Sequence, residues 1–186
     1  MLKVIGICGS PRRKGNTETL LDVALSEFDK KYFEIEKVIL SEYKIEPCTS
    51  CRICTKTHEC SIRDDMTKII QKLLESHIVI IASPVYFNNV STQVKVFMDR
   101  TWCIRGKLKD KIGGGIVVGR RYGLELALVA IHTFMLKHEM ILGHRGVSAI
   151  AYEKGEVLKD EKAIKDTKEL AKRLSELCLT MNKISN

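Results

Sequence analysis

The chain has 186 residues, of which 45% are hydrophobic, with seven cysteines and a net charge of +8. A chain of this length can bury a sizeable core, so it needs neither disulfides nor a metal merely to fold. Its basic residues form no nucleic-acid-binding motif with aromatic residues, and no apolar run approaches the ~20 residues of a membrane span, so we expect neither nucleic acid nor a membrane as partner. With no secretory-type segment at its start, the chain is expected to be cytoplasmic.

Strand-like and helix-like segments alternate along the chain. Short apolar runs predict strands at residues 2–8, 33–40, 77–82 and 112–119, and a fifth between 140 and 150. Apolar stripes of helical period lie between them and after the last strand. The predicted helix caps are Asn16 or Thr17, Asp64 or Asp65, and Ser91 or Thr92. This alternation predicts one α/β domain over residues 1–186 with a doubly wound parallel sheet, whose ligands bind at the carboxyl ends of the strands.

The loop after the first strand, GSPRRKGNT at residues 9–17, is a candidate phosphate site. It leads into a helix N-terminus, where backbone amides favour an anion. The loop matches neither the dinucleotide pattern G-x-G-x-x-G nor the ATPase pattern G-x-x-x-x-G-K-[ST]. A compact site with hydroxyl groups suits a mononucleotide such as FMN, and the alternative is an ordinary polar turn. The candidate residues are Ser10, Arg12, Gly15, Asn16 and Thr17.

Two further loops follow the third and fourth strands, SPVYFNN at 83–89 and GRRYG at 119–123. The proline, placed just past the strand, and two aromatic residues predict a stiff apolar wall with exposed backbone amides, which an isoalloxazine ring requires. Alternatively, the aromatic rings fill the core. In the second loop Gly119 and Arg120 are candidates for the same site, although Arg120 and Arg121 are equally compatible with a solvated loop.

Residues 41–63 contain four closely spaced cysteines: Cys48, Cys51, Cys54 and Cys60. Connections in α/β units usually have ~2–6 residues, so an insertion this long usually carries function. Disulfides between such near neighbours would be strained, and a reducing compartment disfavours them. Zinc, with His58 as an extra ligand, is an alternative, although structural zinc usually takes two separated ligand pairs. The spacing C-x2-C-x2-C resembles that of [4Fe–4S] ferredoxins, and Cys60 would close a single cluster.

The segments GSPRRKGNT and PVYFNNVSTQVKVFMDR together resemble the NADPH-dependent FMN reductase group of flavodoxin-like proteins. The cysteine segment narrows this resemblance to the archaeal-type iron–sulfur flavoproteins. It covers nearly the whole chain and implies a five-stranded flavodoxin-like sheet with a cysteine-rich insertion, residues 41–63, after the second strand. It also implies that the segment after the third strand runs along the flavin, with Pro84, Val85, Tyr86, Phe87 and Asn88 as contacts. Residues 120–125 depart from the more glycine-rich family pattern.

The leading hypothesis is an FMN- and [4Fe–4S]-containing oxidoreductase that connects one-electron carriers with two-electron acceptors. The resemblance implies a ferredoxin-type partner, with which the charge of +8 is compatible, and a homodimer or tetramer. One alternative is an NAD(P)H-dependent FMN or quinone reductase whose cysteine loop holds zinc or no cluster. The other is a non-catalytic redox or metal sensor. No residue is assigned a catalytic role, because the histidines form no catalytic or metal-binding pattern.

Overall fold

Helices and strands alternate along residues 1–184, the part of the chain that the computed structural model describes. Short 3-10 turns at Leu40–Glu42, Thr101–Ile104 and Glu156–Lys159 join some of them. In chain order the elements are β1 (Leu2–Cys8), α1 (Asn16–Ser26), β2 (Phe33–Ile39), α2 (Cys54–Thr57), α3 (Met66–Glu75), β3 (Ile78–Tyr86), β4 (Asn89–Val90), α4 (Thr92–Arg100), β5 (Ile112–Gly119), α5 (Leu124–Lys137), β6 (Ile141–Leu142), β7 (Val147–Ile150) and α6 (Glu161–Ile184).

The sheet is parallel, in the order β2-β1-β3-β5, and the fifth position is shared by β6 and β7, which both pair with β5. This is the strand order of flavodoxin-like folds, with a crossover between β1 and β3 at the switch point. The predicted doubly wound sheet with five strand positions is therefore confirmed. Residues 143–146 interrupt the predicted fifth strand, because Gly146 adopts a positive φ of 87° that an extended strand cannot continue.

The third strand is longer than the predicted 77–82. It continues to Tyr86, turns back, and pairs in antiparallel fashion with β4. Pro84 therefore lies inside β3, and the prediction that it lies just past the strand was wrong. Because β1 pairs with β3 only as far as Ala82, Pro84 has a neighbouring strand only on the β5 side, an edge position that tolerates proline.

Two helical layers cover the sheet. On one face α1 and α6 pack against the strands, and on the other face α3, α4 and α5 do so. The predicted apolar stripes are buried, as shown by Leu21 on α1, Phe97 on α4 and Leu174 on α6. Trp102 is half-exposed on the 3-10 turn that follows α4. None of the helices in residues 1–184 combines the length and apolarity needed to cross a bilayer.

The helix caps differ from the predictions in one case. The Ser91 hydroxyl accepts a hydrogen bond from the Val94 amide, and an Asp64 carboxylate oxygen accepts one from the Met66 amide, as predicted. At α1, however, Gly15 is the cap residue and no side chain caps the helix. The Asn16 side chain is bonded elsewhere: its Nδ2 donates to the Glu153 carbonyl, 2.8 Å away.

Candidate functional site

A cleft of about 170 Å³ opens where β1, β3, β5 and β7 end. All the predicted flavin contacts except Phe87 and Asn88 line it: Ser10, Arg12, Gly15, Asn16, Thr17, Pro84, Val85, Tyr86, Gly119 and Arg120. Three lining residues were not predicted: Val118, Ala151 and Tyr152. The carboxyl ends of parallel strands meet at one edge of the sheet, so the end of the fifth strand was the signal that could have revealed Ala151 and Tyr152.

The loop after β1 forms a cradle at the start of α1. The Ser10 hydroxyl accepts a hydrogen bond from the Arg12 amide at 3.1 Å and donates one to the Arg12 carbonyl at 3.2 Å, which closes the turn. The first backbone bond of the helix runs from the Thr19 amide to the Gly15 carbonyl. The amides of residues 16–18 therefore come before the first intrahelical bond. This is the arrangement found at helix N-termini that bind anions.

A buried carboxylate, that of Glu18, holds this loop through hydrogen bonds and ion pairs. Glu18, whose side chain is 4% exposed, accepts hydrogen bonds from the Lys14 amide at 2.6 Å and from Lys37 Nζ at 3.1 Å, and it pairs with Arg13. Burial alone would raise the pKa of Glu18, but these hydrogen bonds and charges lower it to about 2. Arg13 also pairs with Glu42 and does not line the cleft, so Arg12 is the loop arginine that does.

The turn between β3 and β4 carries the two predicted contacts that do not line the cleft. Phe87 and Asn88 have positive φ angles of 47° and 61°, as in tight hairpin turns. The Phe87 ring is fully exposed, so it fills neither the cleft nor the core. Asn88 packs against Gly123, where any Cβ would overlap it, and this contact holds the turn against the start of α5.

The two arginines after β5 point to different places. The guanidinium of Arg120 lies over the ring of Tyr152, 4.7 Å from its centroid, and both residues line the cleft. The guanidinium of Arg121 instead lies over the exposed ring of Tyr122, 5.0 Å from its centroid. The geometry therefore distinguishes a cleft arginine from a surface arginine where the sequence did not.

The second site is a cavity of about 940 Å³ between the cysteine segment and helices α4 and α5. Its walls include Trp102, Phe134 and all four predicted ligands: Cys48, Cys51, Cys54 and Cys60. All seven cysteines of the chain are free thiols. Within residues 1–184, no three His, Cys, Asp or Glu side chains converge closely enough to hold a metal ion. Four cysteine thiols are the donors that an iron–sulfur cluster takes, but within residues 1–184 their sulfurs do not form a ready-made cage.

The cysteine segment is closed at its base and open at its tip. The Lys44 amide donates to an Asp65 carboxylate oxygen at 3.0 Å, and the Asp65 amide donates to the Lys44 carbonyl at 3.2 Å. Farther out, the Cys51 sulfur lies 3.2 Å from the Ser61 hydroxyl, a hydrogen bond that lowers the pKa of the Cys51 thiol. Cys48 and Cys51 are exposed, and Cys54 and Cys60 are half-buried. His58 does not line the cavity.

The cleft and the cavity share one wall, the β3–β4 hairpin. Tyr86 lines the cleft and Asn89 lines the cavity, and the two residues are antiparallel partners. One antiparallel pair of the hairpin therefore contributes a residue to each site. The chain places a nucleotide-type cleft and a four-thiol cavity beside the same short hairpin.

Known proteins resemble the chain over most of its length. The family model for NADPH-dependent FMN reductase matches residues 2–154. An iron–sulfur flavoprotein of Methanocaldococcus jannaschii is 35% identical over 98% of this chain and 100% of its own length, and one of Archaeoglobus fulgidus is 48% identical over 63% of this chain and 54% of its own. The crystal structure of a flavodoxin, the WrbA-like protein of Agrobacterium tumefaciens, shares the fold with a TM-score of 0.64 at 15% identity, over 97% of this chain and 99% of that one. The chain is a flavin-dependent oxidoreductase that belongs to the iron–sulfur flavoproteins of the NADPH-dependent FMN reductase family.

Proposed function

We propose that this chain is an FMN- and [4Fe–4S]-containing oxidoreductase that passes electrons between a ferredoxin-type carrier and a two-electron acceptor. The observation that carries the proposal is the hairpin shared by the phosphate-loop cleft and the four-thiol cavity. When bound, FMN supplies two-electron chemistry and the cluster supplies one-electron chemistry. A single short wall between the two sites suits exchange between these two kinds of carrier.

The cleft residues divide into two groups by chemistry. Arg12, the Ser10–Arg12 turn and the first amides of α1 would hold the phosphate of FMN, because they offer positive charge and backbone donors. The segment Pro84–Tyr86, together with Gly119, would lie along the flavin ring, because these residues line the cleft beside the phosphate loop. Asn16 would contribute through its backbone, because its side chain also accepts a hydrogen bond from the Gly155 amide at 2.8 Å.

The cavity residues would hold the cluster through the sulfurs of Cys48, Cys51, Cys54 and Cys60. Thiolate is the form that ligates iron, and the Ser61 hydroxyl beside Cys51 stabilises that form. Because the sulfurs do not converge within residues 1–184, binding would draw the segment together. A cytoplasmic location belongs to this proposal, since a reducing compartment keeps such thiols free.

The proposed partners follow from charge and apolar exposure. A net charge of +8 favours encounter with an anionic partner such as an acidic ferredoxin-type carrier. Neither a membrane nor nucleic acid is proposed, because the sequence contains no motif for either. Phe87, Tyr122, Leu126 and Val129 are exposed on the hairpin turn and the neighbouring start of α5. Exposed apolar side chains grouped in this way support a homodimer or tetramer.

The decisive experiment is anaerobic purification followed by a visible spectrum and chemical analysis. We expect about one FMN, four iron and four sulfide per chain. Stopped-flow measurements should then show faster reduction of the flavin by reduced ferredoxin than by NADPH. A yellow protein without iron and sulfide would refute the cluster part of the proposal, and slow reduction by every ferredoxin tested would refute the carrier.

One alternative is an NAD(P)H-dependent FMN or quinone reductase whose cysteine loop holds zinc or no cluster. The separation of the four sulfurs within residues 1–184 favours its cluster-free form. The same two measurements distinguish it. It predicts FMN without iron, and rapid reduction of the flavin by NADPH. Zinc analysis of the same sample then separates a zinc-bound loop from an empty one.

A further inference from the structure

Arg100, the last residue of α4, lies buried at the base of the cysteine segment, with its side chain 1% exposed. Its Nη1 donates to the Glu46 carbonyl at 2.6 Å and to Asp64 Oδ2 at 2.6 Å. Its Nη2 donates to Asp64 Oδ1 at 2.9 Å and to the Ile62 carbonyl at 3.3 Å. Glu46 precedes the first cysteine of the segment and Ile62 follows the last, so one guanidinium joins both sides of the loop.

The partner of Arg100 is equally buried. The Asp64 side chain is 5% exposed, and it also accepts hydrogen bonds from the amides of Glu46, at 2.9 Å, and Met66, at 3.0 Å. Burial alone would raise the pKa of Asp64, but the hydrogen bonds from Arg100 and these amides lower it below its usual range. Removing one member of such a pair leaves an uncompensated buried charge, so the two residues act as a unit.

The guanidinium is not fully used by these bonds. Its Nε is buried and has no hydrogen-bond partner among the described residues. Cys60 stands two residues before Ile62, whose carbonyl accepts the Nη2 hydrogen bond, so its side chain belongs to the part of the loop held at the guanidinium. Burial lowers the pKa of Arg100, whereas the hydrogen bond with Asp64 raises it above its usual value, and Cys60 contributes in the same direction. Arginine keeps its charge at any pH the protein meets, and this positive charge is therefore permanent.

We propose that Arg100 is a positioning residue for the cysteine segment, which closes the loop between Glu46 and Asp64 and holds a permanent positive charge beside the Cys60 sulfur. The inference rests on the proposed function in one respect, that Cys60 is a cluster ligand. The planar fork is essential to the clamp, because a single ammonium group cannot span the carboxylate and the two carbonyls in the same geometry. A positive charge near a ligand sulfur also stabilises the more negatively charged, reduced state of a bound cluster.

Two substitutions separate the clamp from the charge. Arg100→Gln removes both, whereas Arg100→Lys keeps the charge and loses the fork. Lys165→Gln is the control: it removes one positive charge from an exposed ion pair on α6, where Lys165 Nζ lies 3.8 Å from Glu169. Full-length proteins are purified anaerobically and measured for amide hydrogen exchange in residues 46–64, iron and sulfide per chain, FMN per chain and cluster midpoint potential.

We expect amide exchange in residues 46–64 to become at least tenfold faster in both Arg100 variants, with iron reduced at least threefold and FMN retained. The potential of the remaining cluster should fall in Arg100→Gln and stay near the wild-type value in Arg100→Lys. Lys165→Gln should change neither exchange nor iron content. Wild-type exchange in both Arg100 variants would overturn the clamp, and an unchanged potential in Arg100→Gln would overturn the charge effect. If Arg100→Gln does not fold, Arg100→Lys still tests the clamp.

The exchange measurement also keeps this inference separate from the proposed function. If the wild-type protein contains no iron, the cluster proposal fails, and faster exchange in the Arg100 variants would still support the clamp. If the wild-type protein contains iron and the variants keep wild-type iron and exchange, the proposed function stands and the role of Arg100 is refuted.

Discussion

The proposed flavin cleft and the cysteine cavity are built in opposite ways. The walls of the cleft are the ends of strands and the start of α1, and a buried carboxylate, Glu18, supports the loop that carries Arg12. The cysteines lie on an irregular segment that is held at its base and exposed at its tip. A fold can form a nucleotide site in advance, whereas a site made of soft ligands on a loop takes its final geometry from the metal.

The most severe test of this contrast is Cys60→Ala. Iron and sulfide should fall almost to zero in this variant, because one missing thiolate opens the proposed cluster. FMN per chain should stay within about twofold of the wild-type value if the sheet does not depend on the segment. Iron, sulfide and flavin analysis of anaerobically purified protein measures both sites. Cys178→Ala, which removes a buried thiol from α6, is the control and should keep its iron. Loss of FMN together with iron would show that the segment is part of the fold.

The next test addresses the support beneath the cleft. Glu18→Gln removes a buried anion with three donors, so the free energy of unfolding at pH 7 should drop by roughly 2–3 kcal/mol. The carboxylate has a pKa near 2 in the folded chain and 4.5 otherwise, so its stabilisation is present above about pH 4.5 and is lost as the pH falls towards 2. Urea unfolding from pH 7 to pH 2 measures this: the wild-type protein should lose more stability below pH 4.5 than the variant. Equal losses would mean that Glu18 does not support the loop.

A smaller effect is expected when the cleft loses its loop cation. Arg12→Ala should weaken FMN binding about tenfold, because a charge-assisted contact to phosphate contributes about 1.5–3 kcal/mol and water partly replaces it. Fluorescence titration of the flavin-free protein gives the Kd. Arg173→Ala, an exposed arginine on α6, controls for net charge and should leave the Kd unchanged. Equal weakening in the two variants would point to long-range attraction and not to a built phosphate site.

The smallest effect separates the two arginines after β5. Arg120→Ala should weaken FMN binding about threefold, because it removes a cation that covers the cleft with Tyr152, whereas Arg121→Ala should have no effect. The same titration compares the variants directly. If the order is reversed, the loop after β5 rearranges when FMN binds.

The sequence predicted most of the sheet because its strands are short runs rich in apolar, β-branched residues. Residues 2–8 and 112–119 gave their strands without error, since each is a short apolar run that contains several β-branched residues. Residues 83–90 were not predicted as strand, because the proline suggested a loop. In the structure Pro84 pairs only with β5, beyond the end of β1, and this edge position accommodates it. Asn16 looked like a helix cap by residue type, but its side chain bonds a loop 137 residues away along the chain, which no local pattern reports.

For the sites, residue spacing predicted the chemistry better than the geometry. The phosphate loop and the ends of strands converge because the topology of a parallel sheet brings them to one edge. The positions of the cysteine sulfurs could not be predicted, because a flexible segment has many arrangements with the same spacing. The role of Arg100 was also hidden, since an arginine at the end of a helix is usually solvated and favourable to the helix dipole, and only the tertiary structure buries this one.

The closed base of the cysteine segment has a consequence for modular engineering. Lys44 and Asp65 are already joined by hydrogen bonds, so the sheet places little demand on the length of the chain between them, and lengthening such a loop costs only a few tenths of a kcal/mol. Excising the loop alone would leave the guanidinium of Arg100 buried without its carbonyl acceptors. The transplantable unit is therefore the segment together with one arginine on a neighbouring helix, and a graft onto another flavodoxin-like scaffold must carry both.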